Sequence, residues 1–307
     1  MTAELLAIFV ASSIRLAAPL IFAAIGELIS ERAGVLNLSL EGMMLAAAFG
    51  GALGAFLTGS PWAGLVLGVL FAITIAAIQA FFSVTLRANQ IVVGIGLNIV
   101  VLGATTVASR GIFGRDPGFS IDGFGKLEVE GLSNLLFLGT AFFQQTGLVY
   151  LAPVLALLVW LFLYRTTTGI SIRAAGDEPK AADKSGIAVP GMRWLAILLT
   201  GLLAGLGGVI YSIADLHSFT ENMTGGVGYL AIAAVIFGRW RVLGTFGACL
   251  VFGAATSLQF QLPAMGVQAV PVALLVMLPY ALALLAVSGL VGRQFPPRAL
   301  TIPFVRR

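Results

Sequence analysis

Residues 42–86 read GMMLAAAFGGALGAFLTGSPWAGLVLGVLFAITIAAIQAFFSVTL, and none of these 45 positions is Asp, Glu, Lys or Arg. A helix that crosses a bilayer needs about 20 apolar residues, so the stretch accommodates two, broken where Thr58-Gly59-Ser60-Pro61 supplies turn chemistry. Outward from it the pattern repeats. Residues 88–109, 131–164, 194–214, 222–238 and 242–292 are equally free of charge. The last run also holds two segments, divided around Gln259 to Gln268 by Pro263 and Gly266. Nine segments result: 4–27, 36–57, 62–86, 90–109, 146–164, 194–214, 224–238, 242–260 and 270–290. The seventh is short for a full crossing and reads as a half-helix or a tilted segment. The expected fold is all-α, a polytopic membrane protein of eight to ten segments forming a single transmembrane domain, 1–307.

Composition agrees. The chain of 307 residues is 59% hydrophobic and 10% charged, whereas soluble domains average about 25% charged residues. A net charge of +4 suggests a nucleic-acid partner only in a soluble chain; in a membrane protein basic residues report topology. With nine alternating segments, one set of connections holds 13 basic residues (Arg32, Arg87, Arg165, Arg173, Lys180, Lys184, Arg193, Arg239, Arg241, Arg293, Arg298, Arg306 and Arg307). The other holds 3, Arg115 and Lys126 besides Arg110. The positive-inside rule then places the N-terminus outside and the C-terminus in the cytoplasm. No basic stretch precedes the first apolar run, which reads as a retained segment rather than a cleaved leader. An outer loop spans 110–145 and an inner loop 165–193.

Catalytic signatures are missing. There is no phosphate-binding G-x-x-x-x-G-K-[ST], no H-E-x-x-H and no G-x-S-x-G. The lone Cys249 and the lone His217 exclude a disulfide framework and a His-clustered metal site. No cofactor is expected. The polar residues inside the apolar runs are therefore the candidates for function. Arg15 falls in the middle of the first segment. Glu41 lies one turn inside the second, with Asn37 four residues earlier on the same helical face. A charge at mid-bilayer is costly, roughly 2.5 to 3.5 kcal/mol on insertion scales, so each needs a partner or a polar cavity. The readings that stand are a translocation pathway through Arg15, Asn37, Glu41 and Asn98, a structural pair, or Glu41 snorkelling to the inner surface. Gln79 and Gln90 are further intramembrane polar groups. The glycines of Gly225-Gly226-x-Gly228 open the short seventh segment, an arrangement that transporter folds place beside a substrate path.

In the inner loop, Pro179 suits the first turn of a helix and Gly186 its left-handed stop, with acidic Asp177 and Glu178 at the start and Lys184 near the end. This predicts a two-turn helix over 178–185, either a solvated connector or a lever on which a soluble partner pushes.

Three motifs carry a family resemblance. The stretch ERAGVLNLSLEGMML, 31–45, resembles the second-helix signature of ABC-importer permeases of the branched-chain amino acid, ribose and nucleoside type. Residues 173–187 resemble that family's ATPase-facing segment, and GGVGYLAIAAVIFGRWRVLG, 225–244, its third signature. The opening Ser30-Glu31-Arg32-Ala33 and the Phe237-Gly-Arg-Trp-Arg241 run are most similar to the nucleoside branch, often labelled simple-sugar permeases; Val242 departs from the proline expected there. The resemblance implies that Arg173, Gly176, Pro179, Ala182 and Gly186 form the coupling element. It also implies separate ABC ATPase subunits at the inner loop, a second permease subunit (like or unlike), an extracytoplasmic substrate-binding protein, and residence in the bacterial inner membrane. The implied function is import of a small neutral polar solute, nucleosides first, with simple sugars or branched-chain amino acids as the alternative. From a different class, an ion-coupled secondary transporter using Arg15 and Glu41 remains the rival.

Overall fold

A computed structural model describes residues 3–114, 120–128, 138–265, 271–288 and 295–305. Helices dominate, in the order α1 (Ala3–Arg32), α2 (Leu40–Thr58), α3 (Pro61–Ala80), α4 (Gln90–Ile112), α5 (Leu138–Phe142), α6 (Gly147–Arg165), α7 (Thr167–Asp177), α8 (Pro179–Lys184), α9 (Val189–Val209), α10 (Val227–Phe237), α11 (Val242–Ala264) and α12 (Val272–Val287). Two π-helical turns, Phe81–Thr85 and Ile210–Asp215, extend α3 and α9. The chain is mostly helical, as expected, with one short ladder besides. Strands β1 (Lys126–Glu128) and β2 (Gln144–Thr146) pair antiparallel, Lys126 opposite Thr146.

The break read at 58–61 falls where the turn residues stand. Gly59 adopts a left-handed φ of 64° and returns its N–H to Ala55 O, and Pro61 opens α3. Among the described residues, seven helices are long and apolar enough to cross a membrane. The expected seventh and ninth segments are shorter apolar helices, Val227–Phe237 and Ala273–Leu285. The first segment runs on to Arg32 rather than ending at 27, because no glycine or proline intervenes before Gly34. Arg115, Arg293, Arg306 and Arg307, and the Gly266–Gln268 break, lie outside the described residues.

Two helices form the buried centre. The most apolar stretch of α2 is 83% buried and that of α9 with its π-turn 72%, against 17% for α4. Close approach at this centre depends on missing side chains: a Cβ on Gly208 of α9 would sit 2.1 Å from the Met44 carbonyl oxygen of α2. Small residues at such crossings let helices pack where lipid offers no hydrophobic drive. Large apolar residues point outward instead, among them Ile99, Val107 and Leu284.

One end of the bundle gathers the ends of α1, α7 and α9 with the C-terminal segment. There the Arg193 guanidinium donates to Ala33 O and Ile302 O, and Ala299 N–H to Gly176 O. At the other end Arg110 makes a bidentate pair with Glu221. Residues 121–124 are fastened there to the π-turn after α9 through Ile213 O and to the residues just past it through His217 O.

A broken helix held by a buried carboxylate

The α10 helix has only 11 residues and starts abruptly. Gly225 and Gly226 take φ values of 54° and 90°, a region open to glycine without steric penalty. A helix start leaves unpaired N–H groups and a partial positive charge. Both are answered from another helix. Glu41 Oε1 accepts the Gly226 N–H (2.8 Å) and the Thr224 hydroxyl (2.6 Å), and Oε2 accepts the Gly228 N–H (2.7 Å). Gly228 must be glycine for this approach, since a Cβ would lie 2.5 Å from Glu41 N.

The start of α2 is itself held from α4. Ser39 stands at the cap position without a side-chain cap bond. Asn98 takes the role instead: its Oδ1 accepts the Gly42 N–H (2.8 Å), and its Nδ2 donates to Leu38 O and to the Tyr229 hydroxyl, both at 2.8 Å. Glu41, Asn98, Asn222 and Tyr229 line a cavity of about 260 Å³ whose remaining wall includes Ile95, Ile99 and Leu102. Tyr229 is 44% exposed. Its phenol accepts from Asn98 and retains a proton to give. The cavity thus offers neutral donors and acceptors beside an aromatic face, while the carboxylate oxygens are already engaged. It suits a neutral polar solute.

The other candidates fall elsewhere. Asn37 precedes α2, which begins at Leu40, so it does not share a helical face with Glu41. It is fully buried: its N–H donates to Glu27 Oε1, and its Oδ1 accepts from Ser39 N–H and Oγ. Arg15 lines a separate cavity of about 430 Å³ with Lys126, Asp215 and His217. The Gln79 amide reaches Ser83 Oγ and Gln90 O, and Gln90 Oε1 accepts Leu36 N–H. Both glutamines bind neighbouring chain segments together.

In the inner loop the helix expected over 178–185 is α8, Pro179–Lys184, with Glu178 and Ser185 as its cap residues. A second helix, α7, precedes it and has no counterpart in the sequence reading. Arg173 lies on α7 with its guanidinium 4.9 Å from the Tyr164 ring centre. Gly176 faces inward, where a Cβ would meet Arg32 O at 2.1 Å. Pro179 opens α8. Ala182 is buried in a small cluster with Ala175 and Val189. Gly186 ends the unit at φ 89°, while Ile187 N–H returns to Ala182 O. The exposed ridge is Lys180, Ala181 and Lys184.

Sequence reasoning also missed Glu27 and Glu31, both essentially without exposure on α1. Glu31 accepts the Trp240 indole N–H. Their signal was present: two carboxylates four residues apart, Glu27 at the last position assigned to the first segment and Glu31 just beyond it.

Among the described residues, seven long apolar helices and a half-length one with polar side chains gathered at its start are the architecture of a polytopic membrane protein. Residues 9–287 match the family described as branched-chain amino acid transport system / permease component, and the chain belongs to that family. It is 35% identical to the guanosine ABC transporter permease protein NupQ of Bacillus subtilis, over 99% of this chain and 98% of that one. It is 35% identical to the nucleoside ABC transporter permease protein NupC of Lactococcus lactis, over 98% of both. It is also 37% identical to TsgC13 of Haloferax volcanii, an ABC transporter permease protein ascribed to glucose, over 81% of this chain and 76% of that one.

Proposed function

We propose that this chain is a transmembrane subunit of an ATP-driven importer of nucleosides, and that the solute passes along the cavity formed by Asn98, Asn222 and Tyr229. The observation that carries this reading is the Glu41 carboxylate bound to the start of α10 beside that cavity. A half-helix whose first turn is fixed by a neighbour is an element that can move as a unit. The guanosine and nucleoside relatives support the solute class, and the aromatic face of Tyr229 suits a base. Arg15 stays a path candidate through its own cavity, whereas Asn37 acts by holding the α2 entrance. The ion-coupled alternative is less well supported, because Glu41 and Arg15 line different cavities and Glu41 has three donors already.

In this reading the N-terminus is outside and the C-terminus is in the cytoplasm of a bacterial inner-membrane protein. The α7–α8 unit meets the ATPase through its Lys180–Lys184 ridge. The outer loop, 110–145, meets a substrate-binding protein. A second permease, like or unlike, covers the polar cavity. The test is uptake of labelled guanosine and of labelled glucose by cells lacking this chain and by the same cells complemented with it. Restored guanosine uptake supports the proposal; restored glucose uptake alone moves the chain to the sugar branch.

A further inference from the structure

The segment Phe237-Gly-Arg-Trp-Arg241 turns sharply between α10 and α11. Arg239 and Trp240 both take left-handed φ values, 55° and 54°, which bulky L residues adopt only against steric resistance. Contacts with the end of α1 hold them there. The Trp240 indole is buried and donates to the Glu31 carboxylate, and its carbonyl accepts both Nε and Nη2 of Arg32. With Trp240 turned in, Arg239 and Arg241 are turned out, and both are exposed.

These two arginines and Arg32 line a cleft of about 810 Å³ between α6 and α11. Trp160 and Tyr164 of α6 form its aromatic wall, and Leu243 and Val251 continue it as an exposed apolar strip. The Arg165 guanidinium stands 5.7 Å from the Trp160 ring centre. Among the described residues no carboxylate lines the cleft; the Glu31 carboxylate accepts the Trp240 indole N–H.

We propose that this cleft holds the phosphate headgroup of an anionic phospholipid, with its acyl chains along Leu243 and Val251. Guanidinium forks match phosphate oxygens in a bidentate way that single amines do not. Tryptophan and tyrosine favour the headgroup depth of a bilayer. A basic pocket between helices at that depth selects acidic lipids over zwitterionic ones. The site is separate from the Glu41 cavity and does not depend on which solute is carried.

The test is native mass spectrometry of the purified, delipidated full-length protein titrated with phosphatidylglycerol, cardiolipin, phosphatidylethanolamine or inorganic phosphate. Phosphatidylglycerol and cardiolipin should be retained over phosphatidylethanolamine. Arg239→Gln with Arg241→Gln should lower that retention about tenfold, while Arg239→Lys with Arg241→Lys keeps part of it. Arg110→Gln, at the other end of the bundle, should change nothing. Equal retention by the glutamine variant, equal retention of phosphatidylethanolamine, or displacement of the lipid by inorganic phosphate would each overturn the proposal. Should the glutamine variant fail to fold, a photoreactive phosphatidylglycerol on the wild-type protein decides: crosslinks on the peptide carrying Trp160 and Tyr164 support the site, and their absence rejects it.

Discussion

The carboxylate of Glu41 and the backbone N–H of Gly228 meet at 2.7 Å across 187 positions of sequence. The contact ties the first turn of α2 to the first turn of α10. Because Asn98 of α4 holds the same turn of α2 and also the Tyr229 hydroxyl, three helices share one polar junction. Motion of α10 must therefore carry α2 with it or break charge-assisted hydrogen bonds, each worth roughly 1.5–3 kcal/mol.

Replacing the carboxylate tests that junction. Glu41→Gln keeps the side-chain shape but turns one acceptor oxygen into a donor, so at least one of the three donors facing it loses its partner. We expect a loss of about 2 kcal/mol in the stability of the junction. Uptake should fall while the amount of protein in the membrane holds. Faster hydrogen exchange at residues 226–230 would register the loosened helix start; unchanged exchange and uptake would argue that the carboxylate is dispensable.

Steric room makes a sharper comparison. Gly228→Ala pushes a methyl group to 2.5 Å from Glu41 N, whereas Gly96→Ala meets nothing within 4 Å. The first should abolish accumulation of folded protein or lower its unfolding temperature markedly. The second, inside a helix, should be neutral or stabilise by up to about 1 kcal/mol. Thermal unfolding of the two purified variants gives the answer.

Asn98 and Tyr229 are expected to separate structure from transport. Asn98→Ala leaves the Gly42 N–H and Leu38 O without their partner, costing about 1–3 kcal/mol, so both abundance and uptake should drop. Tyr229→Phe removes one acceptor from Asn98, whose bonds to Gly42 N–H and Leu38 O remain, so abundance should fall far less than in Asn98→Ala while the nucleoside concentration needed for half-maximal uptake rises. An unaltered concentration dependence in Tyr229→Phe would place the solute elsewhere.

Backbone geometry should dominate at the coupling unit. Gly186 has φ 89° with open space around it, so Gly186→Val strains the turn by roughly 1–2 kcal/mol without striking a neighbour. In the reconstituted complex it should separate ATP hydrolysis from uptake. Lys184→Gln removes one exposed charge and should do far less. Equal and near-normal uptake in both would remove α8 from the coupling role.

Much of the scaffold was readable because absence of charge is a one-dimensional signal. The break at Gly59 and the stop at Gly186 were readable too, since glycine and proline fix local dihedrals. What escaped depends on partners distant in sequence. Asn37 was read as sharing a helix with Glu41, yet the helix starts three residues later; the Asn37 N–H donates instead to Glu27 and its Oδ1 accepts from Ser39, partners outside that helix. The α7 helix escaped although its signal is local: the Thr166 hydroxyl caps its first turn by accepting the Gly169 N–H, and Ile172, Ala175 and Gly176 form its buried face. The π-helical turns at 81–85 and 210–215 carry no composition that distinguishes them from α-helix. Glu41 was visible as an expensive charge, but its partners, 183 to 187 positions away, were legible only as a glycine-rich opening.

The measurement that tests the account most directly is nucleoside protection of a cysteine placed in the path. In a Cys249→Ser background, which removes the sole native thiol, Asn222→Cys is labelled with a hydrophilic thiol reagent in the reconstituted importer. Val107→Cys on the exposed apolar face of α4 serves as the comparison. The account predicts that guanosine, delivered by the binding protein with ATP, slows labelling at 222 and leaves 107 unchanged. Labelling at 222 that is the same with and without guanosine would contradict it.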